Sequence, residues 1–265
     1  MTMEFFDLFR EDRWPHMFCP GCGIGTVMNC FHRAFAEVGM DQDRTVFVSG
    51  IGCSSRIIGY IRADSIHTAH GRALAVATGI KLANPDLNVI VFSGDGDIGA
   101  IGGNHFINAA RRNVDMSVFC INNFIYGMTG GQVSTTTPYR SYSTTTPYGN
   151  REYPFDLSEL AVAAGANFVA RWTVRNVREL TASMQKAMTK KGFSFVEIAS
   201  PCPTSFGRRN RMADPRQMFE WLKIVSVHRE KSKAWGLDQL DLNLGGQITI
   251  GEFVERNRAP FGIIA

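Results

Sequence analysis

Asn88-Val-Ile-Val-Phe-Ser-Gly94-Asp95-Gly96-Asp97-Ile98-Gly99 is the stretch from which the rest of this chain can be read. The run from Asn88 to Phe92 is continuously apolar and breaks into glycine-rich turn chemistry, the pattern of a strand buried on both faces of a parallel sheet. Gly94 to Gly99 formally satisfies G-x-G-x-x-G, a dinucleotide fingerprint when it joins a strand to a helix. Two features oppose that reading. Asp95 and Asp97 would repel a bare pyrophosphate. The next strand ends in Cys120-Ile-Asn-Asn123, where a dinucleotide fold wants an acid for the ribose hydroxyls. A hard cation removes the first objection, because Mg²⁺ takes oxygen ligands and bridges carboxylate to phosphate. Asp95 then sits at the carboxyl end of its strand, where α/β sheets bind ligands, and Asn123 supplies a second oxygen from the neighbouring strand. A calcium EF-hand is excluded, since the sixth and twelfth positions from Asp95 are Ala100 and Phe106.

Outward from this turn, helix and strand patterns alternate. Helices are predicted at 25–38, 71–82, 103–112, 157–164 and 177–190. Strands are predicted at 45–48, 88–92, 116–121, 168–170 and 193–198. The alternation predicts an α/β fold with a doubly wound, mostly parallel sheet. A polar segment from Tyr126 to Pro154 interrupts it and carries a short duplication, Ser134-Thr-Thr-Thr-Pro138 and Ser143-Thr-Thr-Thr-Pro147. Such length in a compact domain points to a functional loop, here an ordered wrap. Residues 1–205 read as one α/β domain. Residues 206–265 read as an extension that packs on it or on a partner.

The 265 residues carry a net charge of +4, with charged residues at 20% and apolar ones at 45%. That is a globular composition, and no dense Lys/Arg block accompanies the mild basicity, so nucleic acid is not an expected partner. The short run Arg208-Arg209-Asn210-Arg211 fits a solvated loop or a contact to something acidic. No apolar run is long enough to span a membrane, and the acidic N-terminus lacks the pattern of a signal peptide. A cytoplasmic, reducing location is therefore expected, in which cysteines serve as metal ligands or catalysts more readily than as disulfides. Of the six cysteines, Cys19 and Cys22 form the one close pair, while Cys53 and Cys202 each follow a strand at the same edge as Asp95. Four thiolates from separated segments close a Zn(Cys)₄ site or a 4Fe–4S cluster, and spacing does not choose between them. Cys30 and Cys120 fall on core-facing patterns and read as small packing residues.

Gly94-Asp95-Gly96 followed by Asn123 resembles the thiamine diphosphate motif, in which the Asp, the Asn and a backbone carbonyl two residues on, here Ile125, hold Mg²⁺ against the diphosphate. The surrounding words are Cys19-Pro-Gly-Cys-Gly23, Gly50-Ile-Gly-Cys-Ser-Ser55, His70-Gly-Arg-Ala73, Ile101-Gly-Gly-Asn-His105, Tyr126-Gly-Met-Thr-Gly-Gly-Gln132 and Cys202-Pro-Thr204. They resemble the β subunits of 2-oxoacid:ferredoxin oxidoreductases across residues 19–204. The resemblance implies a thiamine diphosphate and iron–sulfur domain at 1–205, with Cys19, Cys22, Cys53 and Cys202 holding one 4Fe–4S cluster. Chemistry agrees with a cluster, because oxidising a thiamine-bound 2-oxoacid needs an electron acceptor close by and zinc accepts no electrons.

The resemblance also places Ser54, Ser55, His70, Gly94, Asp95, Gly96, Asp97, Asn123, Ile125, Tyr126, Gly127, Met128 and Thr129 around the cofactor. His70, Met128 and Asn104 are the candidates for catalysis or substrate contact, with Asn104 equally readable as a helix cap. Apolar Met128 favours a larger acid such as 2-oxoglutarate, although the lysine that some relatives carry two positions later is Gly130 here. Arg140, Arg151 or a partner chain would then supply the positive charge. No Glu here matches the one that activates thiamine. In the family it comes from an α subunit, which also contacts substrate and coenzyme A, so an αβ or higher assembly reducing ferredoxin is implied. Rival readings are a pyruvate, branched or aryl 2-oxoacid enzyme of the same family and a non-redox thiamine decarboxylase with structural zinc. A nicotinamide dehydrogenase and an inactive binding module are two more.

Overall fold

The computed structural model describes residues 3–232 and 247–262. The strands are β1 Thr45–Ser49, β2 Asp64–His67, β3 Asn88–Gly94, β4 Met116–Asn122, β5 Ile125–Tyr126, β6 Gln132–Val133, β7 Phe168–Thr173, β8 Phe193–Ala199, β9 Ser226–His228 and β10 Ile248–Glu255. The helices are α1 Phe5–Leu8, α2 Ile24–Val38, α3 Ala73–Ala83, α4 Gly103–Arg111, α5 Leu157–Ala164, α6 Val177–Thr189, α7 Pro215–Val225 and α8 Arg229–Ser232. Among the described residues, no helix is long and apolar enough to cross a membrane.

Eight strands form the main sheet in the order β2-β1-β3-β4-β8-β7-β10-β9. All pairs are parallel except β10 against β7. The expected doubly wound sheet is therefore present, because parallel neighbours need crossovers and the helices that make them cover both faces. One face buries Val27, Phe31 and Phe35 of α2 with Leu180 and Met184 of α6. These positions repeat at helical spacing, so each helix offers one apolar stripe. Phe31 packs edge-on against Phe92 of β3, with ring centroids 5.0 Å apart. The other face buries Leu74 and Ala77 of α3, Phe106 and Ala110 of α4, and Leu157 and Ala161 of α5.

No apolar pattern marks β2, whose Asp-Ser-Ile-His is exposed at every position and closes one edge of the sheet. Nor is a strand predicted at β10, which returns antiparallel from the 206–265 segment and bonds to β7. β3 and β4 lie side by side, with Gly94 opposite Ile121. That register brings the Gly94–Gly96 turn and the Asn122–Ile125 turn together at the carboxyl edge.

Candidate active site

Asp95 leaves β3 into this edge and is 2% exposed. Its Oδ2 accepts from the Thr136 hydroxyl at 2.7 Å and from Ser134, and its Oδ1 accepts from the Asn123 backbone N–H at 3.3 Å. Both hydroxyls come from the first copy of the Ser-Thr-Thr-Thr-Pro duplication. The loop 126–154 thus folds back over the turn and supplies donors that sequence reasoning had not assigned. Among the described residues, no cationic side chain pairs with Asp95. Burial therefore pushes its carboxyl pKa up, against the pull of those donors.

Phe124 stands between the two expected ligand positions and adopts φ 63°, which is rare for a bulky residue. The reversal it makes brings Asn123 and the Ile125 carbonyl to the same side. The Asn123 side-chain amide lies 2.6 Å from the Ile125 carbonyl oxygen and 3.2 Å from Asp95 Oδ1 and, with its nitrogen turned to them, donates to both. With its oxygen turned to them instead, as a ligand would be, three acceptors face one another. A hard cation is the partner that turns this arrangement from repulsive to favourable; without one, the amide would rotate and donate.

Asp97 lines the same cavity. Its carboxylate takes up protein donors and ties three segments together. Oδ1 receives the Gly71 N–H at 2.6 Å and the Ile51 N–H at 3.4 Å, with His70 Nδ1 2.6 Å away, and Oδ2 receives the Ser93 hydroxyl. A Cβ on Gly50 would lie 1.9 Å from Asp97 Oδ2. Gly50→Ala is therefore expected to displace this carboxylate, lower the melting temperature and weaken thiamine diphosphate binding at least about tenfold. Calorimetric titration of the cofactor with Mg²⁺ measures that loss. Binding equal to the unsubstituted protein would show that Asp97 is not needed where it stands.

A cavity of ≈ 290 Å³ opens over these turns, lined by Ser54, His70, the Gly94–Asp97 turn, Asn123, Ile125 and Tyr126–Thr129, with Ile51, Gly52 and Cys53 at its end. His70 stands edge-on to Tyr126 with ring centroids 5.7 Å apart. Its Nδ1 faces Asp97 Oδ1, and its ring borders the cavity. The Tyr126 hydroxyl donates to the Gly96 carbonyl at 3.1 Å. Burial, then the Asp95 and Asp97 carboxylates, pushes that phenol up to about 12. Met128 is partly exposed on the cavity wall. Two candidates lie elsewhere. Ser55 is buried with no hydrogen-bond partner for its hydroxyl. Asn104 is exposed on α4 and accepts from the Asn108 side chain at 3.0 Å. The helical repeat turns Asn104 outward once one turn of π-helix, Asp97–Ile101, has preceded α4. Another hollow of ≈ 520 Å³, lined by Arg10, Asp12, Gln42, Asp43, Arg62, Ala63 and Asp64, is an open patch of mixed charge away from these turns.

The four expected cysteines share a second cavity of ≈ 280 Å³, which has Cys53, Asn123, Gly127 and Met128 in common with the first. Burial, aided by the neighbouring thiols, pushes Cys22 up to about 12 and Cys53 up to about 11. Thiolates here thus require nearby positive charge. Among the described residues, no three His, Cys, Asp or Glu side chains converge on one ion-sized point. Cys30 and Cys120 stand apart and buried, on α2 and β4. Gly127 joins the two cavities: a Cβ there would lie 3.4 Å from Cys202 Sγ, 3.9 Å from Cys53 Sγ and 3.8 Å from the Asn123 amide nitrogen.

Comparison with known proteins places the chain in a family. The family described as thiamine pyrophosphate enzyme, C-terminal TPP binding domain, matches residues 50–198, so the fold and site define a thiamine diphosphate-binding domain. The chain is 53% identical to the 2-oxoglutarate synthase subunit KorB of Methanothermobacter marburgensis, over 96% of this chain and 88% of that one. It is 45% identical to the KorB subunit of Archaeoglobus fulgidus over 97% and 94% of the two chains. Its structure matches a 2-oxoglutarate:ferredoxin oxidoreductase from Magnetococcus marinus with TM-score 0.84 and 34% identity, covering 98% of this chain and 87% of that one. The protein belongs to the β-subunit family of the 2-oxoacid:ferredoxin oxidoreductases, to which the 2-oxoglutarate synthase KorB subunits also belong.

Proposed function

We propose that this chain is the thiamine-binding β subunit of a 2-oxoglutarate:ferredoxin oxidoreductase. The reaction converts 2-oxoglutarate, coenzyme A and oxidised ferredoxin to succinyl-CoA, CO₂ and reduced ferredoxin. Asp95, the Asn123 side chain and the Ile125 carbonyl would hold Mg²⁺ against the diphosphate, and Cys19, Cys22, Cys53 and Cys202 would hold a 4Fe–4S cluster. Thiamine diphosphate supplies the electron sink on which a 2-oxoacid loses CO₂. This chain's own residues bind and orient it. Ser54 and Gly94 line the end of the cavity beside the cation turn, His70 is held by Asp97 beside Tyr126, and Met128 gives the cavity an apolar wall suited to a longer acid.

Gly127 is the observation that carries the redox reading. Its small size brings the cofactor turn and the thiols into contact across one residue, which suits electrons leaving the cofactor singly. The relatives' designation as β subunits supports a partner α chain. That chain would supply the glutamate that activates thiamine and the contacts to coenzyme A and substrate.

Iron and acid-labile sulfide, measured per chain on anaerobically purified protein, test the proposal. About four of each is expected for one 4Fe–4S cluster. Zinc without sulfide would overturn the redox half and favour a non-redox thiamine decarboxylase.

A further inference from the structure

We propose that Glu197, on β8, is a positioning residue for the cation-binding turn. Through the Asn122 amide it sets the left-handed Phe124 that points Asn123 and the Ile125 carbonyl at Asp95. This rests on the proposal that the turn holds Mg²⁺ and the diphosphate.

A carboxylate inside the apolar strand Phe193–Ala199 is costly and calls for a reason. Glu197 is 1% exposed and has its acceptors filled. Oε2 takes Arg171 Nε at 2.8 Å and the Ser158 hydroxyl at 2.6 Å, and Oε1 takes Asn122 Nδ2 at 2.8 Å. Because a carboxylate only accepts, it dictates which way the Asn122 amide faces. Nδ2 must point to Glu197, so Oδ1 points to the turn. There Oδ1 accepts the Phe124 N–H at 3.1 Å and faces the Thr136 hydroxyl at 3.0 Å.

The same Thr136 hydroxyl lies 2.7 Å from Asp95 Oδ2, and its single proton serves one of the two oxygens at a time. The network therefore reaches an expected metal ligand directly. Phe124 is held from its other side as well. Its carbonyl accepts from Thr137 Oγ1 at 2.6 Å, and its ring packs on Phe206 and Trp221. Arg171, also fully buried, supplies the countercharge and further bonds to Asp156 and to the Thr249 carbonyl of β10 at 3.2 Å.

Glu197→Gln tests the idea sharply. Arg171 and Ser158 both donate, so they hold the new amide with its oxygen towards them. Its NH₂ then faces Asn122, and the Asn122 amide must rotate, presenting NH₂ to the Phe124 N–H. The measurement is Mn²⁺ binding in the presence of thiamine diphosphate, read by electron paramagnetic resonance on the chain purified with its partner subunit.

Mn²⁺ affinity is expected to fall at least about tenfold in Glu197→Gln. Ser158→Ala removes a donor to the same carboxylate without touching Asn122, and it should lower the melting temperature while leaving Mn²⁺ affinity within about twofold. If Glu197→Gln does not fold, Asn122→Leu removes both the contact to Glu197 and the acceptor of the Phe124 N–H, with the same loss expected. Unchanged Mn²⁺ affinity in a folded variant of either kind would overturn the positioning role. Failure of the unsubstituted protein to bind Mn²⁺ at all would overturn the cation site along with it.

Discussion

Asparagine in place of Asp95 is expected to stabilise the metal-free protein and to leave it unable to hold the diphosphate. The carboxylate is buried, its near neighbours are hydroxyls and a backbone N–H, and among the described residues no cation faces it. Such a charge costs folding free energy that an amide of the same shape avoids, by about 1–3 kcal/mol. In a chain of this size that raises the melting temperature by several degrees, at roughly 2–4 °C per kcal/mol. The price is the site, since a neutral amide gives a hard cation no charge to bind, and activity of the assembled enzyme should fall about a thousandfold or more. The sign of the pH dependence follows from the same burial. Desolvation raises the folded-state pKa of Asp95 above the unfolded value. The folded metal-free protein then keeps a proton that the unfolded chain releases above about pH 4. Stability from this group is fully present below that pH and declines as pH rises towards the folded-state pKa. Asp95→Asn should flatten the decline, and Mg²⁺ with thiamine diphosphate should offset it in the unsubstituted protein. Melting temperatures at pH 5 and pH 8, with and without cation, decide the matter. A lower melting temperature for metal-free Asp95→Asn at pH 8 would refute the account.

The residues that carry this argument were legible to different degrees. Gly94-Asp95-Gly96 and Asn123 could be read because backbone and ligand demands coincide there: a buried strand must end, and a carboxylate appears where the chain turns. The parallel sheet followed from its apolar runs for the same reason. What the Asp97 carboxylate holds was not legible, because residue type and spacing do not say which neighbours reach it. Only the fold brings Ile51, His70 and Gly71 to it. Ser134 and Thr136 lay in a polar repeat whose two copies look alike. The first faces Asp95, while in the second Ser143 bonds to Thr146 at 2.7 Å. Glu197 was hidden inside a strand read as apolar, since one charge in a seven-residue run does not change its period, and Arg171 fell just past the predicted strand at 168–170. β2 and β10 had no sequence signal strong enough to predict, one being exposed throughout and the other antiparallel at the far side of the sheet.

Serine at Cys53 is expected to reduce iron from about four to below one per chain, whereas Cys30→Ser should leave iron unchanged. Cys53 lines both cavities, and its thiol is pushed up to about 11 by burial and by neighbouring Cys202 and Cys19. Four thiolates so placed repel one another and become favourable together only around bound positive charge. A hydroxyl gives up its proton far less readily than a thiol, so serine at this corner cannot complete the set. Cys30 differs in every respect: its sulfur is buried on α2, 3.8 Å from the Val177 carbonyl, and serine there costs stability of about 1 kcal/mol without reaching the second cavity. The contrast extends to electron transfer. Asp95, Asn123 and Ile125 are untouched by Cys53→Ser, so the assembled variant should retain thiamine diphosphate while viologen reduction falls below about 1% of the unsubstituted rate. Cofactor content, iron and viologen reduction can be measured on one preparation. Full iron in Cys53→Ser would remove this cysteine from the ligand set. Lost iron with undiminished viologen reduction would show instead that electrons leave the thiamine site by a route other than the four thiols.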